Sequence, residues 1–227
     1  EINIDYDITE LTDINKAFVD TGLKKKELEK RGVGIGSYLT LERTDHRLGN
    51  PDYIAGKALD DRVGCFLLLH LAQYAKTNHD IYYVFTVQEE VGLYGAKVSA
   101  YAINPDIAIA IDVANANDTN EDPTKFLGRG PVLTIKDDEM IGNTCLNDFF
   151  KHTAKKNKIP IQLEVSNFGT TDALTISISK EGVPTTALGV CLRNIHTTHS
   201  IGSKKDIEYC KQLLEALLLH PPLHCVK

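Results

Sequence analysis

The sequence predicts an α/β protein built on a mainly parallel sheet with helices on both faces. Three observations lead there. From Tyr53 onward, strand-like and helix-like segments alternate along the 227 residues, and repeated β-α-β order implies parallel strands covered on both sides. Several strand-like segments are near-continuous apolar runs, above all 81–87 and 107–111. Acidic residues and a histidine follow such runs, and strand ends are where sites form in open α/β sheets.

Residues 1–50 differ from the rest. The segment 10–14 leads into 17–20, which reads as a short strand. The charged stretch 24–30 favours helix, the glycines at 32, 34 and 36 punctuate, and 38–41 reads as a strand. This is a small, mostly β unit. The Gly-x-Gly-x-Gly run lacks the spacing of a dinucleotide loop and precedes a strand, so tight turns are expected.

The domain from 51 to 227 opens on a strand at 54–59. A helix over 61–76 follows, with Val63, Phe66, Leu67, Leu68, Leu71 and Ala72 as a wide buried face. Next come strand 81–87, helix 94–102, strand 107–111, a polar loop over 115–124 and strand 132–135. A helix over 146–157, a strand over 161–165 and a helix over 171–179 follow. A strand over 185–191 and an amphipathic helix over 205–219 close the chain.

Hydrophobic residues make up 42 % and charged residues 25 %, ordinary values for a globular protein. The net charge of −6 argues against nucleic acid, whose phosphates need a basic surface. No apolar stretch reaches the ~20 residues of a membrane span, and no signal peptide is evident. A cytoplasmic protein without a membrane partner is expected. The five cysteines form no C-x-x-C pair and read as reduced, buried thiols. His220 and His224, beside Cys225, read as surface residues beyond the last helix. The first residue is Glu1, compatible with a start inside a longer protein.

Glu89 and Glu90 directly follow the 81–87 run. Adjacent carboxylates at a strand tip are costly unless positive charge lies between them. They read either as first-turn acids of the next helix or as a metal ligand beside a general base. Asp60, in Asp60-Asp61-Arg62, is either part of a helix cap or a carboxylate bridging two metals, with Asp61 as its supporting neighbour. Asp112 is a turn former or a ligand. His196 is structural or a ligand; the His196-x-x-His199 spacing does not fit the H-E-x-x-H helix, and His199 reads as a bystander. Asp172, in Gly169-Thr170-Thr171-Asp172, starts a helix or lines a pocket. Two divalent ions would reconcile the acids, since paired metals acidify water and polarise a carbonyl while a free glutamate takes the proton.

In order, several segments carry a resemblance: Gly56-Lys57-Ala58-Leu59-Asp60-Asp61-Arg62, Gln88-Glu89-Glu90-Val91-Gly92, Ala110-Ile111-Asp112-Val113 and Gly128-Arg129-Gly130-Pro131. They continue with Thr170-Thr171-Asp172-Ala173, Glu181-Gly182-Val183-Pro184-Thr185 and Arg193-x-x-His196-Thr197. Together they resemble the tetrahedral (TET-type) dinuclear metalloaminopeptidases, which include the glutamyl aminopeptidases. The resemblance implies a three-layer zinc-exopeptidase α/β domain, with residues 1–50 as the latter part of a small inserted, dimerisation-type β domain. It implies hydrolysis of N-terminal residues from short peptides, with Glu89 as general base. Asp60 would bridge, Glu90 and His196 would hold one metal, and Asp112 the other. Asp61, Asp172 and Arg193 would support the site or the substrate. The implied cofactors are two zinc or cobalt ions in the intact protein, and the implied assembly is a homo-oligomer of dimers building a dodecamer. The family's first ligand, the His of a His-x-Asp pair upstream of the inserted domain, has no counterpart here, so one metal or none is expected in this chain. Ser200 stands where the family often has Glu. The competing readings are a metal-dependent N-acyl deacylase and a truncated or degenerate, non-catalytic subunit.

Overall fold

The computed structural model describes residues 18–40, 42 and 48–226. The chain divides into two compact units, Glu1–Glu42 and Arg43–Lys227. In the first unit the described residues hold one regular element, helix α1 (Lys25–Lys30). Its start is closed by the Glu27 carboxylate, which accepts from the Lys24 N–H at 2.9 Å, a capping box that satisfies an otherwise orphaned donor. The strand expected at 38–41 is absent at Tyr38, Leu39 and Thr40, and Leu41 lies outside the described residues. The strand expected at 17–20 is likewise absent at 18–20, while 10–17 lie outside them.

The second unit is α/β with a six-stranded sheet, β1 (Tyr53–Gly56), β2 (Ala108–Asn115), β3 (Val132–Lys136), β4 (Gln162–Val165), β5 (Thr185–Arg193) and β6 (Ser200–Ser203). Strand β5 organises it. Along its length it pairs in parallel with β2, and it pairs antiparallel with β3 and with β6. Strand β4 extends β3 in parallel, and β1 extends β6 antiparallel. The sheet is thus mixed as well as α/β. Strand β6 was not foreseen: Ser200-Ile201-Gly202-Ser203 has little strand composition, and it is the register with Ala55 and Arg193 that makes it one.

Helices α2 (Leu59–Tyr74), α4 (Thr144–Lys156) and α6 (Lys204–Leu219) cover one face. There Val63, Leu67 and Leu71 pack with Phe150, Leu213 and Leu217 against Leu188, Val190 and Leu192 of β5. The buried apolar residues of α2, Val63, Leu67 and Leu71, recur every four positions, so the buried stripe is narrow. Phe66 and Ala72, expected inside, are exposed. On the other face α5 (Ala173–Ser177) sets Ala173 against Ala110 and Ala187, and α3 (Tyr94–Ile103) packs on α5.

The segment 81–87 departs most from expectation. No residue of it belongs to a strand, although its composition is that of one. A strand exists only where a ladder absorbs its N–H and C=O groups, and among the described residues none pairs with this run. The helix expected over 171–179 shrinks to five residues, as its β-branched composition disfavours helix. Two of the five cysteines, Cys145 and Cys225, are joined in a disulfide, correcting the all-thiol expectation; Cys191 and Cys210 are buried thiols, and Cys65 is exposed. Their Cα atoms lie 5.7 Å apart across 80 residues of sequence, a proximity that spacing could not show. No helix among the described residues is long and apolar enough to cross a membrane.

Candidate metal centre

The segments bearing Asp60, Glu89 and Glu90, and His196 meet at one place through backbone turns rather than regular elements. Ala58 (φ 56°) redirects the chain after β1, Gln88 (φ 59°) turns it before Glu89, and Asn194 (φ 55°) and His196 (φ 58°) do so after β5. Left-handed conformations at residues other than glycine cost roughly 1–3 kcal/mol each and cluster at functional sites. The first two residues of α2 after Leu59 are not helical in φ and ψ, and the Asp60–Asp61 peptide is cis. Regular helix begins after Asp61.

The His196 imidazole Nε2 lies 3.3 Å from Asp60 Oδ2 and 3.6 Å from Glu90 Oε2. Asp60, Glu90 and His196 each offer a ligand atom, and these atoms all lie within 4.8 Å of one another. Asp60 is largely enclosed, whereas Glu90 and His196 are open to solvent. Glu89 stands beside them: burial, then Asp172, Glu90 and Asp60, push its carboxyl up to about 7, against the lowering influence of His196. Asp60 is raised by burial and by Glu90 and lowered by His196.

Asp61 turns inward. Its Oδ1 accepts from the Gly64 N–H at 2.9 Å, and burial raises its carboxyl to about 8, with Asp60, Glu89 and Asp172 adding to the rise. A side chain at position 64 would collide with that carboxylate, so the helix admits Asp61 only because residue 64 is glycine. Asp112 does not end its strand: β2 runs on to Asn115, with Asp112 opposite Gly189. Its carboxyl accepts from the Val113 N–H at 2.7 Å. Burial raises it well above the usual range, and Asp61, Glu89 and Asp60 raise it further. It is close enough to feel the other acids but is not one of the three groups that share ligand distance.

Asp172 lies close enough to Glu89 to raise its proton affinity. The Thr86 hydroxyl donates to its Oδ2 at 2.7 Å, its Oδ1 is buried with no partner among the described residues, and burial raises its carboxyl. Arg193 is turned to Asp118: Nε and the terminal nitrogen donate to the two carboxylate oxygens at 2.7 Å each. This two-pronged pair holds Asp118 below the usual carboxylate range and pins the start of the turn that carries His196. Ser200 is buried and donates to the Asn194 carbonyl at 3.0 Å.

Sequence reasoning missed Asp206. It is fully buried, and its two oxygens accept from the N–H groups of Gly128 and Gly130 at 2.7 Å each. Burial lifts its carboxyl to about 6 against those bonds. An acid in the first turn of the closing helix was visible, but its partners lie far away in sequence.

The donor set fits a divalent cation. Two carboxylates and an imidazole supply the oxygen and nitrogen donors that zinc and cobalt accept. Glu90 raises the proton affinity of Asp60 and of Glu89, and a cation among them would reverse that. The family model of the M42 glutamyl aminopeptidases matches residues 4–213. The chain belongs to this family. A lysyl aminopeptidase of Pyrococcus furiosus is 35% identical over 212 residues, which are 91% of this chain and 60% of the relative. An aminopeptidase structure from the archaeon Desulfurococcus kamchatkensis superposes with a TM-score of 0.84 at 37% identity, covering 89% of this chain and 59% of that one. The Pyrococcus horikoshii TET1 peptidase, which can assemble into a tetrahedron or a large octahedral shell, matches with a TM-score of 0.74 at 30% identity over 88% of this chain and 60% of its own. The M42 chain described here therefore spans about three fifths of the length of these relatives.

Proposed function

We propose that this M42 chain is the metal-binding part of an aminopeptidase that removes N-terminal residues from short peptides. The observation that carries the reading is the convergence of Asp60, Glu90 and His196 on shared ligand distances, with Glu89 beside them and its proton affinity raised to about 7. Asp60, Glu90 and His196 would hold a zinc or cobalt ion. Asp112, whose proton affinity Asp60 raises, would share a second ion with Asp60 in the intact protein. A divalent ion supplies Lewis-acid polarisation of the scissile carbonyl and acidifies water.

The chain's own groups do the rest. Glu89 accepts the proton of the attacking water and returns it to the departing amine; a carboxylate with proton affinity near neutrality suits both transfers. Asp172, held by Thr86, keeps negative charge beside Glu89 and so keeps its proton affinity high. Asp61, at the entry to α2, stays protonated and backs the acids. Arg193, locked to Asp118, orients the turn bearing His196. The acidic surroundings favour the free, positively charged N-terminus of a peptide. We also read residues 1–50 as part of an inserted, dimerisation-type domain; the division of the chain at Glu42–Arg43 and the assemblies of the P. horikoshii relative support a homo-oligomer of this kind.

The test is Glu89→Gln in the whole natural protein, assayed on aminoacyl and N-acyl-amino-acid substrates. The expected outcome is a fall in kcat of roughly 10²–10⁴ with bound metal unchanged, and activity on free N-termini only. Near-normal peptide hydrolysis by the variant removes Glu89 from the reaction, and preferential cleavage of N-acyl substrates makes the protein a deacylase.

A further inference from the structure

A second group of metal-binding side chains shares no residue with the carboxylate cluster. Cys145 lies in the first turn of α4, behind the Asn143 cap. A short 3-10 turn, Leu223–Cys225, presents His224 and Cys225 to it. The two sulfurs and an imidazole nitrogen of His224 lie within 4.8 Å of one another. The His224 ring leans on the Phe149 ring, with centroids 5.7 Å apart, which fixes the imidazole beside the sulfurs. His152, two turns along α4 from Cys145, lines the same cleft. Asp148, between them, is paired with Lys151 at 2.6 Å.

A disulfide by itself requires no imidazole. Two cysteines and a histidine that meet, with a second histidine lining their cleft, form the ligand set of a tetrahedral zinc site. Two thiolates bound to one zinc lie about 3.8 Å apart, from Zn–S bonds of about 2.3 Å at the tetrahedral angle. Cα atoms 5.7 Å apart allow that spacing by side-chain rotation alone.

We propose that Cys145, Cys225 and His224 form a redox-gated zinc site, in which the reduced cysteine pair binds the ion and the disulfide excludes it. The fourth position belongs to His152 or to water. The exchange balances as follows. A dithiol reductant passes two electrons and two protons to the Cys145–Cys225 bond; the S–S bond breaks, two thiols form, and the reductant becomes a disulfide. Zinc then displaces both thiol protons to solvent. In reverse, a disulfide oxidant takes two electrons from the zinc-bound thiolates and two protons from solvent, leaves as two thiols, and the ion is released as the S–S bond re-forms.

The experiment uses the full chain, reduced with a dithiol, desalted without air, and titrated with Co²⁺ as a spectroscopic stand-in for zinc. The expected result is thiolate-to-cobalt charge-transfer absorption in the near ultraviolet that saturates with added Co²⁺ and is absent from the oxidised chain. Carboxylate–imidazole coordination gives no such band, so the readout is independent of the peptidase site. The double variant Cys145→Ser/Cys225→Ser, which retains Cys65, Cys191 and Cys210, should lose the band. His224→Ala, which retains the disulfide, should weaken Co²⁺ binding to the reduced chain by at least about tenfold, since even an outer partner of a ligand is worth that much. Absence of the band in the reduced chain overturns the proposal. So does a band that survives in the double variant, or unchanged affinity in His224→Ala.

Discussion

Strand β5 and the run 81–87 look alike in the sequence and fare differently in the fold. Both are short apolar segments with residues of the candidate site just beyond them, His196 after one and Glu89 and Glu90 after the other. Every residue of β5 from Thr185 to Leu192 is buried, and it has ladder partners on both edges. In 81–87, Tyr82, Phe85 and Val87 are 66%, 47% and 68% exposed. Its attachments are few: Gly95 N–H donates to the Val87 carbonyl at 2.9 Å, and Thr86 reaches Asp172. The difference teaches that apolar composition makes a segment eligible for a sheet, while partners for the backbone decide whether it joins one.

The largest expected difference is in amide hydrogen exchange. Amides of 187–191 should be protected to the level of global unfolding, about 5–15 kcal/mol, and those of 82–85 by several orders of magnitude less. Equal protection would mean that the run has a ladder partner after all. Next in size is the response to truncation. Leu188→Ala should cost about 2–5 kcal/mol by denaturant unfolding, and Tyr82→Ser should stay within about 0.5 kcal/mol, as exposed positions do. A large loss at Tyr82 would show that the run is buried in solution.

A smaller effect sharpens the contrast at the ends of the two segments, because the carboxylates gather beyond 81–87. With a chelator present, Asp61, raised to about 8, and Asp112, raised well above its usual range, stay protonated in the folded chain where the unfolded chain has released the proton near pH 4. The folded state then binds more protons, so stability falls with rising pH. Melting temperature should decline from about pH 4 to about pH 8 and level off beyond. Added Zn²⁺ or Co²⁺ should flatten that decline by favouring the charged acids. A profile unaffected by metal would count against the cation site.

Much of the fold was legible because local rules agree with the tertiary outcome. The closing helix α6 alternates polar and apolar residues at helical spacing and buries Leu213, Leu214 and Leu217. Helix α4 begins one residue after Asn143, whose side chain accepts from Leu146 N–H at 3.1 Å. What was illegible depends on partners distant in sequence: β6, the Cys145–Cys225 bond, and Asp206 bound to Gly128 and Gly130. At the candidate site, the acids and the imidazole were visible as residue types after apolar runs. The left-handed turns at Ala58, Gln88 and His196 carry no signal, since none is the glycine or asparagine that such a backbone favours.

By itself, the sequence determined the α/β class, the α2, α4 and α6 cover, and the carboxylates and histidine that come after apolar runs. Periodicity and residue chemistry are local properties, and they survive without a fold. The tertiary structure alone decided that Asp60, Glu90 and His196 meet within 4.8 Å, that Arg193 turns to Asp118, and that 81–87 stays outside the sheet. Those outcomes depend on backbone pairing and on electrostatic distances between residues far apart in the chain, which no local pattern encodes.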